Sequence, residues 1–330
     1  MTEITKYLTK PSSYIMWILI VIFGIIGVQY YAGYISASTA AIFMDLMKFI
    51  GIALSLAVIM SYTGYVSFGH VVFFGIGGFF TAYELSKYSQ QILQGANPYT
   101  IFLTGMLIGV GLSVLLAATV GAAVLRLRGA FFAIATIGLD YVILYLEMTY
   151  RGGAGGGEIY FNVTRPKFLE ETYFVFFIAF VITLIVAYIV KVSKFGYGLA
   201  AIREDEDAAE VIGVDTVRYK IYAFMIAAGL AAIWGSVYSW RQFNFTPENF
   251  SLGISVDMIV MNVIGGLGTF IGPIIGAFIY YIIYRLTNTY LPQLAYIILG
   301  IIVVAVVSFL PEGVAGLIRS KFPNLRKYVE

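Results

Sequence analysis

The sequence predicts an all-α, polytopic membrane protein with about ten spanning or partly spanning helices. Of its 330 residues, 60% are hydrophobic and 12% are charged, and the mean hydropathy is +0.89. Soluble domains carry about 45–50% apolar and about 25% charged residues, so a soluble core could not bury this chain. Because the apolar runs are continuous and do not alternate with polar residues as membrane β-strands do, the spanning elements are predicted to be helices.

The composition also excludes several classes of function. The chain has no cysteine, which excludes a disulfide framework and thiolate metal sites. It has one histidine and no HExxH-like spacing, so a metal enzyme is not expected. The net charge is only +2, which does not favour binding to nucleic acid.

Ten apolar segments approach the length of about 20 residues that a full membrane crossing requires. They cover residues 14–33, 40–61, 71–85, 100–125, 130–149, 172–192, 221–240, 254–267, 274–286 and 294–310. The segments 71–85, 254–267 and 274–286 are short and are rich in glycine or bounded by glycine and proline. We predict that these three are broken or re-entrant helices covered by protein, because bare backbone cannot face lipid.

The distribution of basic residues predicts the orientation of the chain. With the N-terminus in the cytoplasm, thirteen Lys and Arg residues fall on cytoplasmic segments and six on outer segments, and Lys48 lies within the second span. Both termini and residues 193–220 are therefore predicted to be cytoplasmic. The expected organisation is a cytoplasmic segment over 1–13, one transmembrane domain over 14–310, and a cytoplasmic tail over 311–330.

The segment 193–220 is unusually polar for this chain, with ten charged residues among 28. Good helix formers cover residues 200–211, between Gly198 and Gly213, and predict a short amphipathic helix that lies on the membrane surface. A solvated connector is the ordinary interpretation of such a loop. The small residues Ala208 and Ala209 followed by Gly213 favour a helix and turn that fit closely into a cleft on another protein.

Five stretches of the sequence resemble the permease family of ABC importers, in its branched-chain amino acid (LivM-type) branch. They are GYVSFGHVVFFGIGGF from Gly64, LRLRGAFFAIATIG from Leu125, GYGLAAIREDEDAAEVIGV from Gly196, GGLGTFIGPIIGA from Gly265 and FLPEGVAGL from Phe309. The chain departs from the family pattern where Tyr65 replaces Gln and Asp207 replaces Glu, and an Ile-x-Leu-Pro sequence found in many such loops is missing.

The resemblance implies that the charged loop couples the membrane helices to an ATP-hydrolysing partner. The residues implied in this coupling are Arg203, Glu204, Asp205, Asp207, Ala208, Ala209 and Gly213. The implied partners are a second, LivH-like permease, two cytoplasmic ATP-binding subunits and an extracytoplasmic substrate-binding protein, in a prokaryotic plasma membrane. The chain itself is expected to bind no cofactor and to catalyse no reaction, with ATP and Mg used by the ATP-binding subunits.

Polar residues within apolar spans are expensive and are therefore candidates for the translocation path. The candidates are Ser67, His70, Asp140 and Asn262, each of which has an ordinary alternative as a hydrogen-bonded packing residue. Asp45 and Lys48 are three residues apart and face the same side of one helix, which predicts an internal ion pair.

Three other transport classes remain as alternatives. A urea or sugar permease of the ABC class shares most of the motifs. An ion-coupled secondary transporter requires acidic residues at the membrane midplane and two similar halves, and no clear repeat is present. A channel requires a symmetric selectivity filter, and none is visible.

The glycine-rich stretch RGGAGGGE from Arg151 lacks the Gly-Lys-Ser/Thr ending of a phosphate-binding loop, and is predicted to be an external turn.

Overall fold

The computed structural model describes residues 13–150, 158–163, 167–294, 297–298, 300–301, 304–305, 308 and 312–321. The N-terminal segment, most of the glycine-rich turn from Arg151, much of the predicted span 294–310 and the tail beyond residue 321 lie outside the described residues. The predictions made for those parts of the chain therefore stay predictions.

Helices form almost all of the described chain. They are α1 (Ser13–Tyr31), α2 (Ala37–Ala57), α3 (Met60–Thr63), α4 (Val71–Lys87), α5 (Ser89–Leu93), α6 (Pro98–Val124), α7 (Ala130–Tyr150), α8 (Phe168–Val192), α9 (Lys194–Glu204), α10 (Glu206–Val211), α11 (Thr216–Gln242), α12 (Leu252–Gly265), α13 (Ile271–Tyr290) and α14 (Gly313–Lys321). Two 3₁₀ helices cover Pro247–Phe250 and Pro292–Leu294. Strands β1 (Ile159–Tyr160) and β2 (Asn244–Phe245) pair as a small antiparallel ribbon.

Six segments of the described chain are long and apolar enough to cross a membrane. They are Ser13–Tyr31, Ala37–Thr63, Pro98–Val124, Ala130–Thr149, Phe168–Val192 and Thr216–Gln242. The shorter helix α12 is also apolar. Together they confirm the predicted fold class, an all-α polytopic membrane protein.

Capping side chains set the starts of several helices. Ser36 accepts a hydrogen bond from the backbone N–H of Thr39 at the start of α2, and Asn97 accepts one from Tyr99 at the start of α6. These side chains satisfy N–H groups that have no partner within the first turn. Helix α3 ends at Gly64, whose φ of +81° is a left-handed conformation that glycine adopts without strain.

The three segments predicted to be short or broken helices differ in length in the structure. Helix α12 has 14 residues and α4 has 17, so both are short for a membrane crossing. Helix α13 has 20 residues, so the expectation of a broken helix over 274–286 was wrong. Pro273 does not interrupt α13 because it lies in the first turn, where backbone N–H groups have no helical partner. Irregular backbone precedes α4 instead, in residues 64–70.

Helix α4 lies between α6 and α11, and glycine residues let the three backbones approach closely. A Cβ atom at Gly77 of α4 would lie 2.0 Å from the carbonyl oxygen of Ala232 in α11. A Cβ atom at Gly109 of α6 would lie 2.8 Å from the Cα of Gly77. Helix α4 is therefore covered by protein, as its composition predicted.

The bundle has two ends, because α11 runs from the charged loop at one end to strand β2 at the other. We call them the loop end, which carries α9 and α10, and the ribbon end, which carries β1 and β2. Towards the ribbon end, Asp45 forms a salt bridge of 2.6 Å with Arg241 of α11. The predicted ion pair between Asp45 and Lys48 was therefore wrong. The Lys48 ammonium lies over the rings of Phe49 and Tyr238 instead, at 4.5 and 5.0 Å from their centroids.

Candidate functional site

The charged loop contains two helices rather than the single helix predicted over residues 200–211. The chain breaks at Asp205, which is extended (φ −160°, ψ 114°) between α9 and α10. The Asp205 carboxylate accepts a hydrogen bond of 3.0 Å from the backbone N–H of Ala208 and so caps α10. Aspartate favours this position over a helix interior, because its side chain competes for backbone hydrogen bonds.

A glycine turn ends α10. Gly213 has a φ of +91°, and its N–H donates to the carbonyl oxygen of Glu210 at 3.0 Å. The N–H of Val214 donates to the carbonyl oxygen of Ala209, also at 3.0 Å. This pair of bonds defines a Schellman motif, in which a left-handed glycine terminates a helix. The left-handed conformation of Gly213 fixes the direction in which the chain leaves α10.

Helix α10 presents a small apolar surface to solvent. Ala208 is exposed, Val211 is 87% exposed and Ile212, directly after the helix, is 74% exposed. Their spacing of three and four residues places them on one face. We call these three residues the docking ridge. Ala209, in contrast, is only 1% exposed and packs against its own chain, which corrects the expectation that its side chain is free to contact a partner.

The opposite side of α10 is fixed to the bundle by a buried ion pair. The Lys220 side chain in α11 is 1% exposed, and its ammonium donates to the Glu206 carboxylate at 2.6 Å and to the Tyr65 hydroxyl at 3.0 Å. The Tyr65 hydroxyl in turn donates to Glu206. We call Tyr65, Glu206 and Lys220 the buried joint.

The joint keeps Glu206 ionised. Burial by itself raises the pKa of the Glu206 carboxyl, but the hydrogen bonds from Lys220 and Tyr65 and the positive charges of Lys220 and Arg128 together outweigh it. The pKa of Glu206 therefore lies below its usual range. A charged, hydrogen-bonded pair of this kind fixes the orientation of α10. If the two side chains separated, each would be left as an uncompensated buried charge.

Arg128, in the turn between α6 and α7, adds a more exposed set of contacts. Its guanidinium lies 2.7 Å from Asp207, 3.7 Å from Glu206 and 3.9 Å from Glu210. Asp207, expected at a partner interface, therefore contacts its own chain. Because the Arg128 side chain is about half exposed, these contacts orient α10 more weakly than the buried joint does.

Arg203, one of the residues implied in coupling, also contacts its own chain. It donates to the carbonyl oxygen of Ser61 at 3.4 Å, and a Cβ atom on Gly268 would lie 1.8 Å from its guanidinium. Lys191 donates to the Gly268 carbonyl oxygen at 2.7 Å. Glu204, which is exposed, pairs with Arg203 at 2.5 Å. Arg203 therefore holds the end of α9 against the turns after α3 and α12.

Two of the candidate path residues meet at the same part of α2. His70 is fully buried, and its Nε2 lies 3.2 Å from the Ser55 hydroxyl. Asn262, also fully buried, donates from its side-chain amide to the carbonyl oxygen of Ala53 at 3.0 Å. Both residues thus serve at least as packing residues, in line with the ordinary alternative for each.

The other two path candidates lie near α7. Ser67 is fully buried, and its hydroxyl has no hydrogen-bond partner among the described residues. The N–H of the next residue, Phe68, donates to the Thr136 hydroxyl on α7 at 3.1 Å. Asp140 lies one turn further along α7 and is 1% exposed, and its Oδ1 has no partner within the described part of the chain. The irregular segment 64–70 therefore links α7 to α2.

The residues that hold α10 against the bundle stand out in the sequence only as departures from the family pattern or as members of a motif. Tyr65 stands out only because it replaces Gln, and Arg128 only within the LRLRG run. Glu206 and Lys220 were counted among the charges of the loop. A signal was available at Lys220, because ionisable residues of apolar spans commonly pair with one another, and acidic residues lie nearby in the loop.

The comparison with protein families decides between the classes left open by the sequence. A family model described as "Branched-chain amino acid transport system / permease component" matches residues 38–307. The chain belongs to this permease family. The match covers the first four of the five stretches that carried the resemblance, and it includes the charged loop.

Three of the curated relatives are described as branched-chain amino acid permeases. The chain is 25% identical to the high-affinity branched-chain amino acid transport system permease protein LivM of Salmonella typhimurium, over 83% of this chain and 69% of the relative. It is 24% identical to LivM of Escherichia coli, over 86% and 72%. It is 25% identical to a probable LivM of Methanocaldococcus jannaschii, over 74% and 77%. No solved structure matches this permease significantly.

Proposed function

We propose that this chain is the membrane-spanning subunit of an ATP-driven importer for branched-chain amino acids. In this proposal it accepts substrate from an extracytoplasmic binding protein and passes it to the cytoplasm. The cargo follows from family membership and from the names of the three relatives. The chain works with a second permease and two ATP-binding subunits, and ATP and Mg are bound by those subunits.

The observation that carries the proposal is the docking ridge. Ala208, Val211 and Ile212 are exposed at the tip of a loop that is otherwise rich in charge. Exposed apolar side chains of this size gain free energy when a partner covers them, and the surrounding charges form a polar rim. We assign the ridge to a cleft on the ATP-binding subunit, because the loop is the charged segment of the family that the resemblance assigns to coupling.

The proposed mechanism follows from how the loop is held. Closure of the ATP-binding subunits around ATP pushes on α10. Helix α10 cannot move independently of α11, because Glu206 is bonded to Lys220 of α11. The push therefore tilts the membrane helices between an outward-open and an inward-open arrangement. Such a switch needs only that the partner bind the two arrangements with different affinity.

Reconstitution tests the proposal directly. The purified chain alone is expected to show no ATP hydrolysis above background, and the complex with both ATP-binding subunits is expected to hydrolyse ATP. Loaded binding protein should raise that hydrolysis. Leucine, isoleucine and valine should compete with one another for uptake into proteoliposomes. Uptake that needs a proton or sodium gradient and no ATP would contradict the proposal, and competition by urea or a pentose alone would contradict the cargo.

The proposed orientation gives a second prediction, based on the lack of cysteine in the natural chain. Tyr160 on the ribbon and Arg218 on the loop are both exposed. A membrane-impermeant maleimide should label Tyr160→Cys in intact cells, whereas Arg218→Cys should react only after the membrane is permeabilised. The unmodified chain is the control and should not react. The reverse labelling pattern would show that the loop end faces outward.

A further inference from the structure

We infer that the buried joint of Tyr65, Glu206 and Lys220 transmits the movement of α10 to the irregular segment that precedes α4. These three are positioning residues: they touch neither substrate nor nucleotide, and they act by making α10 and the inner part of the bundle move together. The inference rests on the proposed function, and goes beyond it by extending the path from Glu206 and Lys220 through Tyr65 to the segment before α4.

The loop breaks between two helices that are both fixed to the bundle. An extended residue between two short helices is a natural hinge, and Asp205 occupies this position between α9 and α10. Yet both sides of the break are fixed to the bundle, by Arg203 before it and by Glu206 after it. A push on α10 therefore does not simply bend the chain at Asp205.

The contact between α10 and α11 is buried. The Lys220 and Glu206 side chains are 1% and 13% exposed, so water does not screen the pair. Their charged atoms are 2.6 Å apart, so one side chain cannot shift far without moving the other. Another ion pair of the same loop, between Arg218 and Asp215, has side chains that are 76% and 49% exposed. Of these two pairs, the buried one is better placed to transmit force.

The buried joint connects α10 to the segment that precedes α4. Tyr65 belongs to the irregular segment 64–70, which continues to the start of α4. That segment is bonded to α7 through Phe68 and Thr136, and the N–H of Val71 donates to the Ser255 hydroxyl on α12 at 2.8 Å. A shift of Tyr65 therefore reaches two other membrane helices through direct hydrogen bonds.

The test measures substrate transported per ATP hydrolysed, in proteoliposomes that contain the assembled importer. The double variant Glu206→Gln/Lys220→Met removes the buried charges together, so neither is left uncompensated. The single variant Tyr65→Phe removes only the hydroxyl. We expect both variants to assemble and to hydrolyse ATP, with transport per ATP reduced about tenfold in the double variant, a magnitude typical of coupling between sites.

The matched control is Asp215→Asn/Arg218→Met, which removes the exposed ion pair of the same loop and keeps an asparagine cap on α11. It should transport as the parent does. Transport per ATP equal to the parent in the double variant would overturn the inference, even if the yield of complex fell, because a purely structural role lowers yield alone. If the double variant does not assemble, transport per ATP in Tyr65→Phe decides in the same way.

The parent complex separates this inference from the proposed function. A parent chain that does not bind the ATP-binding subunits, or does not transport, refutes the proposed function and the inference with it. A parent that transports while Tyr65→Phe and the double variant keep full coupling refutes only the inference.

Discussion

The double variant Val211→Asp/Ile212→Asp is expected to insert and fold normally and to lose the ATP-binding subunits. Both side chains are largely exposed in the isolated chain, at 87% and 74%, so polar replacements there do not disturb its core. Covering a Val or Ile side chain contributes about 1.5–3 kcal/mol, so losing both weakens binding by at least about 100-fold. The measurement is co-purification of the ATP-binding subunit, with binding titrated on detergent-solubilised chain.

A pair of neighbouring alanines provides the matched control for this prediction. Ala208→Trp adds a large side chain on the docking ridge, and should lose the partner while the chain stays folded. Ala209→Trp adds it on the buried face, where overpacking costs about 1–3 kcal/mol, and should lower the melting temperature of the isolated chain. Normal co-purification by the Val211→Asp/Ile212→Asp chain would mean that the loop is only a solvated connector.

The variant Gly109→Leu is expected to give little folded protein. A Cβ atom at this position of α6 would lie 2.8 Å from the Cα of Gly77 and 3.2 Å from its carbonyl oxygen. The clash is with backbone atoms of α4, which cannot move aside as a flexible side chain could. Separating α6 from α4 exceeds ordinary overpacking, so we expect a loss of about 3 kcal/mol or more in stability. Size-exclusion yield and thermal melting in detergent measure the effect.

Gly111 is the control for Gly109, since it lies on the same helix and an added Cβ atom meets no other atom within 4 Å. Gly111→Leu should therefore accumulate and melt as the parent does. Equal yields for the two leucine variants would show that α4 and α6 are not closely packed. The comparison separates helix packing from any general effect of replacing glycine in an apolar helix.

Much of the fold could be predicted from the sequence because it depends on local composition. Long apolar runs place most helices, with ends that shift by a few residues, and the cap formed by Asn97 and Pro98 is recognisable from residue type alone. The break at Asp205 was also present in the sequence as a capping residue. It was overlooked because good helix formers lie on both sides.

The candidate site was less predictable than the fold. The sequence singled out the loop and seven of its residues, but not which of their side chains face outward. Ala208 and Ala209 are adjacent and chemically identical, yet one is exposed and the other is 1% exposed. That difference depends on how α10 lies on the bundle, which the amphipathic pattern of six residues does not specify.

The sequence by itself determined the membrane class, the helical architecture and the family, because hydropathy and motif spacing are properties of continuous segments. Only the tertiary structure decided which charged and polar side chains pair. Lys220 bonds Tyr65, which is 155 positions away in the chain, and Asp45 pairs with Arg241 on another helix and not with Lys48 on its own. A buried charge is stabilised by whichever opposite charge the packing of helices brings within hydrogen-bond distance, and that distance is set by the fold as a whole.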